Sequence, residues 1–207
     1  MADTAVTAQT VIDNSIARAK DSNKTQWTDA QLLIFLNKAY DYVHRILVLS
    51  QSEIAINEAT ITLLAATQEY DLPDDFWCMA NNGVTLDGNP LMDAMYQDKI
   101  RAGTTTTDEA VTAYYLTDDK IGAIPIPSAT AVSVGAYRTP VLRYFKYATP
   151  LTLTSTMPYK NLLNEPMATF MDQIALIKTE VSTQEVLAIY NSLEQATMAI
   201  LSKRGVA

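Results

Sequence analysis

The chain has 207 residues, of which 48% are apolar and 18% charged, and its formal net charge is −8. That composition builds the core of one domain, or of one domain carrying a sizeable insertion, and excludes a disordered tail. The acidic balance argues against a grip on nucleic acid through an overall basic surface, the single cysteine leaves no intrachain disulfide, and no apolar run approaches the roughly 18 residues of a membrane helix.

The N-terminus carries Asp3, no basic start and no apolar core, so it does not read as a signal peptide, and synthesis in the cytoplasm is expected. Residues 4–20 read as a first helix. Val6, Thr10, Ile12, Ile16 and Ala19 give it a weak apolar face, and Arg18 and Lys20 lie where the helix dipole favours cations. A short polar stretch, 21–26, makes the next helix its neighbour.

That next helix, 27–50, is the best specified in the sequence. Thr28 and Gln31 form a capping box, and Trp27 and Leu32 can close over it as a hydrophobic staple. Leu32, Leu36, Ala39, Val43, Ile46 and Leu47 share one face, with Phe35 and Tyr40 at its margins. Asp41 precedes Arg45 by four residues on the opposite side, the favourable order for a surface pair. Ile34 and Val48 also lie opposite the main stripe. They are candidate contacts, either for the first helix or for a neighbouring subunit.

After about residue 50 the period changes from helical to two-residue alternation. Residues 61–64 are predicted as a strand, 70–73 as an extended piece ended by proline, and 74–79 as one helical turn. Asp87-Gly88 between Leu86 and Asn89 signals a tight hairpin. Residues 93–101 suggest a short helix, and 102–109, with Gly103 and four threonines, a loop. Strands are expected at 111–117 and 120–126, paired across Asp118-Asp119, then at 131–137 and 141–147.

Helical spacing returns at Asn164 or Glu165, with Pro166 in the first turn. Met167, Phe170, Met171, Ile174 and Val181 make its stripe. Ser182 and Glu185 suggest a second capping box, and a last helix runs to about Arg204 before Gly205. Helices, then strands, then helices predict an α+β fold. The expectation is a single domain, 1–207: N-terminal helices in 1–58, an inserted antiparallel β module in 59–150, and C-terminal helices in 151–207 that complete a helical bundle.

No motif declares an enzyme. His44 is the only histidine and sits at the edge of the stripe, where a boundary role is far commoner than catalysis. One Cys and one His, 34 positions apart, make no zinc motif, and Cys78 beside Trp77 reads as a small buried apolar residue. The pairs Asp74-Asp75, Asp108-Glu109 and Asp118-Asp119 sit in predicted turns and match no calcium loop. The scattered methionines read as core filler. No cofactor, metal ligand or catalytic residue is assigned.

One pattern exceeds background. Residues 61–119 hold eleven acids against Lys99 and Arg101, whereas 120–164 hold five bases and no acid. Either these blocks neutralise each other inside one subunit, the preferred reading, or an acidic face of one copy meets a basic face of the next, head to tail. Arg138, Arg143 and Lys146 are the candidate contacts of the second reading.

Three stretches resemble the head–tail adaptor, or connector, proteins of tailed bacteriophages. They are Trp27-Thr28-Asp29-Ala30-Gln31-Leu32-Leu33 with Leu36-Asn37-Lys38-Ala39-Tyr40; Gln68-Glu69-Tyr70-Asp71-Leu72-Pro73-Asp74-Asp75-Phe76; and Ile124-Pro125-Ile126-Pro127 with 132–137 and Pro140. The last helix, 185–204, agrees in place and character. The resemblance implies a structural protein of the virion neck, made in the host cytoplasm. It implies a ring, typically a dodecamer, between the portal protein and a stopper or tail protein. DNA would pass through the channel without specific binding, and no membrane is involved. The termini of such proteins often dock on the portal, which makes Lys203 and Arg204, within 203–207, candidate contacts. The alternatives are another neck or tail-completion subunit, or a non-viral protein-binding module, with an enzyme a distant third.

Overall fold

The computed structural model describes residues 6–18, 26–95, 97–98, 106–107, 110–133, 139–176 and 183–204. The chain divides into two compact units, one made of 1–55 with 148–207 and the other of 56–147. Helices fill the first unit and strands dominate the second, so the fold is α+β, as the order of patterns predicts.

In the helical unit, α1 spans Ala8–Arg18, α2 Asp29–Leu49, α4 Asn164–Leu176 and α5 Thr183–Arg204. A short helix, α3 at Ala129–Ser133, belongs to the other unit. The capping box at α2 is formed: Gln31 N–H donates to Thr28 Oγ1 at 3.3 Å, and Thr28 N–H to Gln31 Oε1 at 3.0 Å. Trp27 meets Phe35 edge-on, with ring centroids 5.5 Å apart. The stripe buries Leu32, Leu36, Ala39, Val43, Ile46 and Leu47, and α2 packs against α1, α4 and α5. α4 contributes Met167, Phe170 and Met171, all essentially buried, while α5 contributes Leu193, Thr197 and Leu201.

The chain returns from the strands along α2. Asn37 clasps that return as a backbone mimic: its Nδ2 donates to Leu151 O at 3.0 Å, and Leu151 N–H donates to its Oδ1 at 2.7 Å. Further on, Ala8 N–H donates to Ser155 O and Met157 N–H to Val6 O, which ties the start of α1 to 153–157. Ser15 on α1 hydrogen-bonds Asp172 on α4.

The strand unit holds β1 Asn57–Thr60, β2 Glu69–Asp71, β3 Phe76–Leu86, β4 Asn89–Pro90, β5 Met92–Asp93, β6 Thr106–Thr107, β7 Ala113–Leu116, β8 Lys120–Ile124, β9 Ile126–Pro127 and β10 Val141–Lys146. They form sheets ordered β1-β10-β3-β4 and β2-β8-β7-β5, with β6 beside β9. Pairing is antiparallel except for the two-residue matches β5–β7 and β6–β9. The Asp87-Gly88 turn forms as expected, with φ of 51° and 78°. Glycine suits the second value, which L side chains adopt reluctantly. Val84, Tyr114, Ile121, Leu142 and Tyr144 form one core cluster and Leu63, Val111 and Ala123 a second, with Ile61, Tyr70 and Leu91 packed against both. Across the Tyr115–Gly122 pair, a Cβ on Gly122 would collide with the Tyr115 ring.

Three expectations are corrected. The strand expected at 61–64 lies earlier, at Asn57–Thr60. Ile61 N–H still reaches Pro140 O at 2.8 Å, but Pro140 has no N–H to give in return, so the ladder stops there. The expected turn of helix at 74–79 is a turn at 74–75 followed by β3, because eleven residues of pairing surface outweigh a local preference. The strand expected at 131–137 starts instead as α3, since Ser128 Oγ accepts the amides of Thr130 and Ala131, both at 3.1 Å, as a helix cap does. Residues 134–138 lie outside the described residues, as do Ser182 of the second capping box and residues 96 and 99–101 of the helix expected at 93–101; of the rest of that helix, Asp93 belongs to β5, 94–95 are irregular and 97–98 are helical.

Candidate assembly surfaces

The basic candidates on β10 have partners within their own chain. Arg143 sits opposite Glu58 in the β1–β10 ladder, and its Nε lies 3.4 Å from Glu58 Oε1, with the Arg143 side chain 19% exposed. Lys146 closes β10 opposite Phe76 and is half-buried. Lys120 reaches Asp71 at 4.0 Å, a contact that joins the basic block to the acidic one inside a single chain. Arg138 lies outside the described residues. Lys203 is exposed in the last turn of α5, and Arg204 is the last residue of that helix.

The two apolar candidates on α2 separate. Ile34 is 56% exposed, whereas Val48 is 7% exposed and already covered by its own chain. Val48 is thus a core residue of its own chain, which leaves Ile34 as the exposed one of the two candidates. Each residue turns an α-helix by about 100°, so Val48 remains off the main stripe and is covered by other parts of its own chain. The Asp41–Arg45 pair forms on the outer face at 3.1 Å.

His44 is corrected as well. It is buried, 2% exposed, rather than at a margin. Its Nδ1 hydrogen-bonds the Tyr159 hydroxyl and the two rings stack, with Tyr40 tilted against both. Burial, then the neighbouring Tyr40, pushes the Tyr159 hydroxyl up and keeps it protonated. This packed cluster links α2 to the turn at Tyr159–Asn161, and no pattern in the sequence pairs residues 115 positions apart. Burial also raises the Cys78 thiol, which keeps it a poor nucleophile. Among the described residues, no group of three or more His, Cys, Asp or Glu side chains is placed to hold a metal ion. No described helix is long and apolar enough to cross a membrane.

Asp71, Asp118 and Asp119 gather at one end of the second sheet, where Leu72 N–H donates to Asp119 O at 3.1 Å. Asp75 accepts from the Tyr144 hydroxyl at 2.9 Å; burial, that bond and the carboxylate charge together push the hydroxyl up to about 12. Large apolar side chains stand exposed on both units, among them Leu49, Leu176 and Leu187 on the helices and Met92 and Met95 on the strand unit. A groove of about 300 Å³ runs between α4 and α5, with Phe170, Leu193 and Ile200 inside and Glu165, Thr169 and Ser192 along its rim. The sequence reading missed this groove, because it depends on how two helices splay.

Polar side chains such as Asn37 and Tyr159 clasp backbone and pack in the helical unit, and several large apolar side chains stand exposed. The chain belongs to the SU10 adaptor protein family, whose model matches residues 6–202, and is thus a member of the head–tail adaptors of tailed bacteriophages. No curated protein matches it.

Proposed function

We propose that this chain is a head–tail adaptor that assembles as a ring, a dodecamer, at the narrow end of the portal. The ring continues the DNA channel and offers its far side to a stopper or tail protein in the virion neck. The family match over 6–202 carries this reading. The exposed leucines and methionines support it, since side chains of that size held in water favour burial against a partner. In this reading the helices of 1–58 and 151–207 and the β module of 59–150 act as one domain, made in the host cytoplasm before assembly. Arg143 and Lys146 are secondary contacts in this reading, since both are partly withdrawn from solvent, whereas Arg138, Lys203 and Arg204 stay candidate contacts, Lys203 and Arg204 at the end of the last helix for the portal. Co-expression with the portal protein of the same phage, followed by electron microscopy, tests it. A ring of adaptor density at the portal's narrow end is expected; a chain that stays monomeric and does not bind the portal overturns it.

A further inference from the structure

The outer side of α2 and the groove between α4 and α5 are complementary surfaces on one helical unit. Ile34, Lys38, Asp41 and Arg45 follow one another at three- and four-residue spacing and so share a single stripe. Ile34 is 56% exposed, and the Arg45 and Asp41 side chains are 63% and 53% exposed. Lys38, one turn along from Ile34, is exposed, with its ammonium 5.9 Å from the centre of the Phe35 ring. The stripe is thus an apolar knob in a setting of net positive charge. The groove has the opposite character. Its floor is apolar, with Phe170 and Leu193 almost fully buried, and Glu165 is the one charged residue among those that line it. At about 300 Å³ and open to solvent, it has room for a side chain. No residue of the stripe lines the groove, so a single chain cannot satisfy both.

We propose that Ile34 of one copy seats in the α4–α5 groove of a second copy, with Lys38 beside that copy's Glu165. The contact is heterologous: each chain presents a knob on one surface and a groove on another, the arrangement that closes into rings. The inference rests on the ring reading above and names the surfaces that would build the ring. Charge sets the register, because the cation of the knob meets the one charged residue lining the groove.

Cysteine pairs test it in a Cys78→Ser background, which removes the only native thiol. One preparation carries Ile34→Cys and the other Ala196→Cys, at the groove lip. Thermal melts first establish that both fold. Oxidation of the mixture at the highest soluble concentration is expected to double the mass, to a one-to-one dimer, and the double variant is expected to give a ladder of higher multiples. Neither single variant should cross-link to itself. A disulfide requires Cα atoms within about 7 Å, so the readout is local. Self-linking of Ile34→Cys alone would show a symmetric contact and overturn the proposal, as would a mixture that stays monomeric on oxidation in solution and on the portal. The same oxidation on portal-bound protein separates the two ideas. A ring without the cross-link overturns this contact and leaves the adaptor reading intact. A cross-link in solution from protein that never binds the portal supports the contact and overturns the adaptor reading.

Discussion

Asn37 shows how much of this structure is decided by single polar side chains. In the sequence it is one polar residue on the outer side of a helix. In the fold it replaces a missing stretch of backbone, satisfying both the N–H and the C=O of Leu151, which is itself buried. Leaving two such groups unpaired costs about 2 kcal/mol. Asn37→Ala should lower stability by about that amount in urea unfolding, and Asn37→Asp, which keeps the acceptor and loses the donor, should fall between. Tyr144 is a second case. Its hydroxyl is raised from 10.0 to about 12 by burial and by Asp75, so the folded chain holds that proton where the unfolded chain releases it. The stabilisation is complete below pH 10 and is lost as the pH rises through about 12. Thermal midpoints should therefore fall over that window, and Tyr144→Phe should make the fall shallower; an unchanged slope would show that Tyr144 does not carry it. Neither role was visible beforehand, because each depends on a partner far along the chain.

Among the elements, the helices were legible and the strands less so, for a physical reason. A helix is stabilised by residues within one turn of each other, so the Thr28–Gln31 box and the 32–47 stripe carry their own answer. A strand is defined by its partner. The end of β1 was settled by Pro140, some eighty positions away, and the conversion of 129–133 to helix by a Ser128 cap inside an alternating pattern. The paired strands 113–116 and 120–124 were legible because their turn lies between them. That hairpin also contains a close approach. Tyr115 is fully buried, its hydroxyl donates to Glu69 at 3.0 Å, and its ring lies across Gly122. One interaction thus ties together β2, β7 and β8. Gly122→Ala should destabilise by about 1–3 kcal/mol through overpacking. In a Tyr115→Leu background the same change should cost less than the sum of the two, since the ring it strikes is gone. Additive losses in a double-mutant cycle would contradict this account.

For the molecule as a whole, charge is the property that the sequence displayed most openly and that the fold most redistributed. The segregation into an acidic and a basic block allows either neutralisation inside one subunit, the preferred reading, or opposed faces on two copies. The structure crosses Lys120 to Asp71 and sets Arg143 against Glu58, so part of the basic block is spent inside the chain. Such pairs add little stability, and the Asp71 side chain is 92% exposed. Their larger effect is on what remains outside, which is an excess of carboxylate with a net charge of −8. DNA binding gains affinity by releasing counterions from phosphates that cationic side chains neutralise. With Lys120 and Arg143 engaged inside the chain and an overall acidic balance, few cations are left to gather against phosphates, which agrees with the proposed role as a channel wall. Duplex DNA titrated against the assembled protein should therefore show weak anisotropy changes at physiological salt. A plot of log affinity against log salt should be shallow, with a slope well short of the value near −0.9 per contacted phosphate that a basic binder accumulates over several contacts. Tight binding with a steep slope would mean that the basic residues of 120–164 face the DNA together, and the internal neutralisation described here would have to be abandoned.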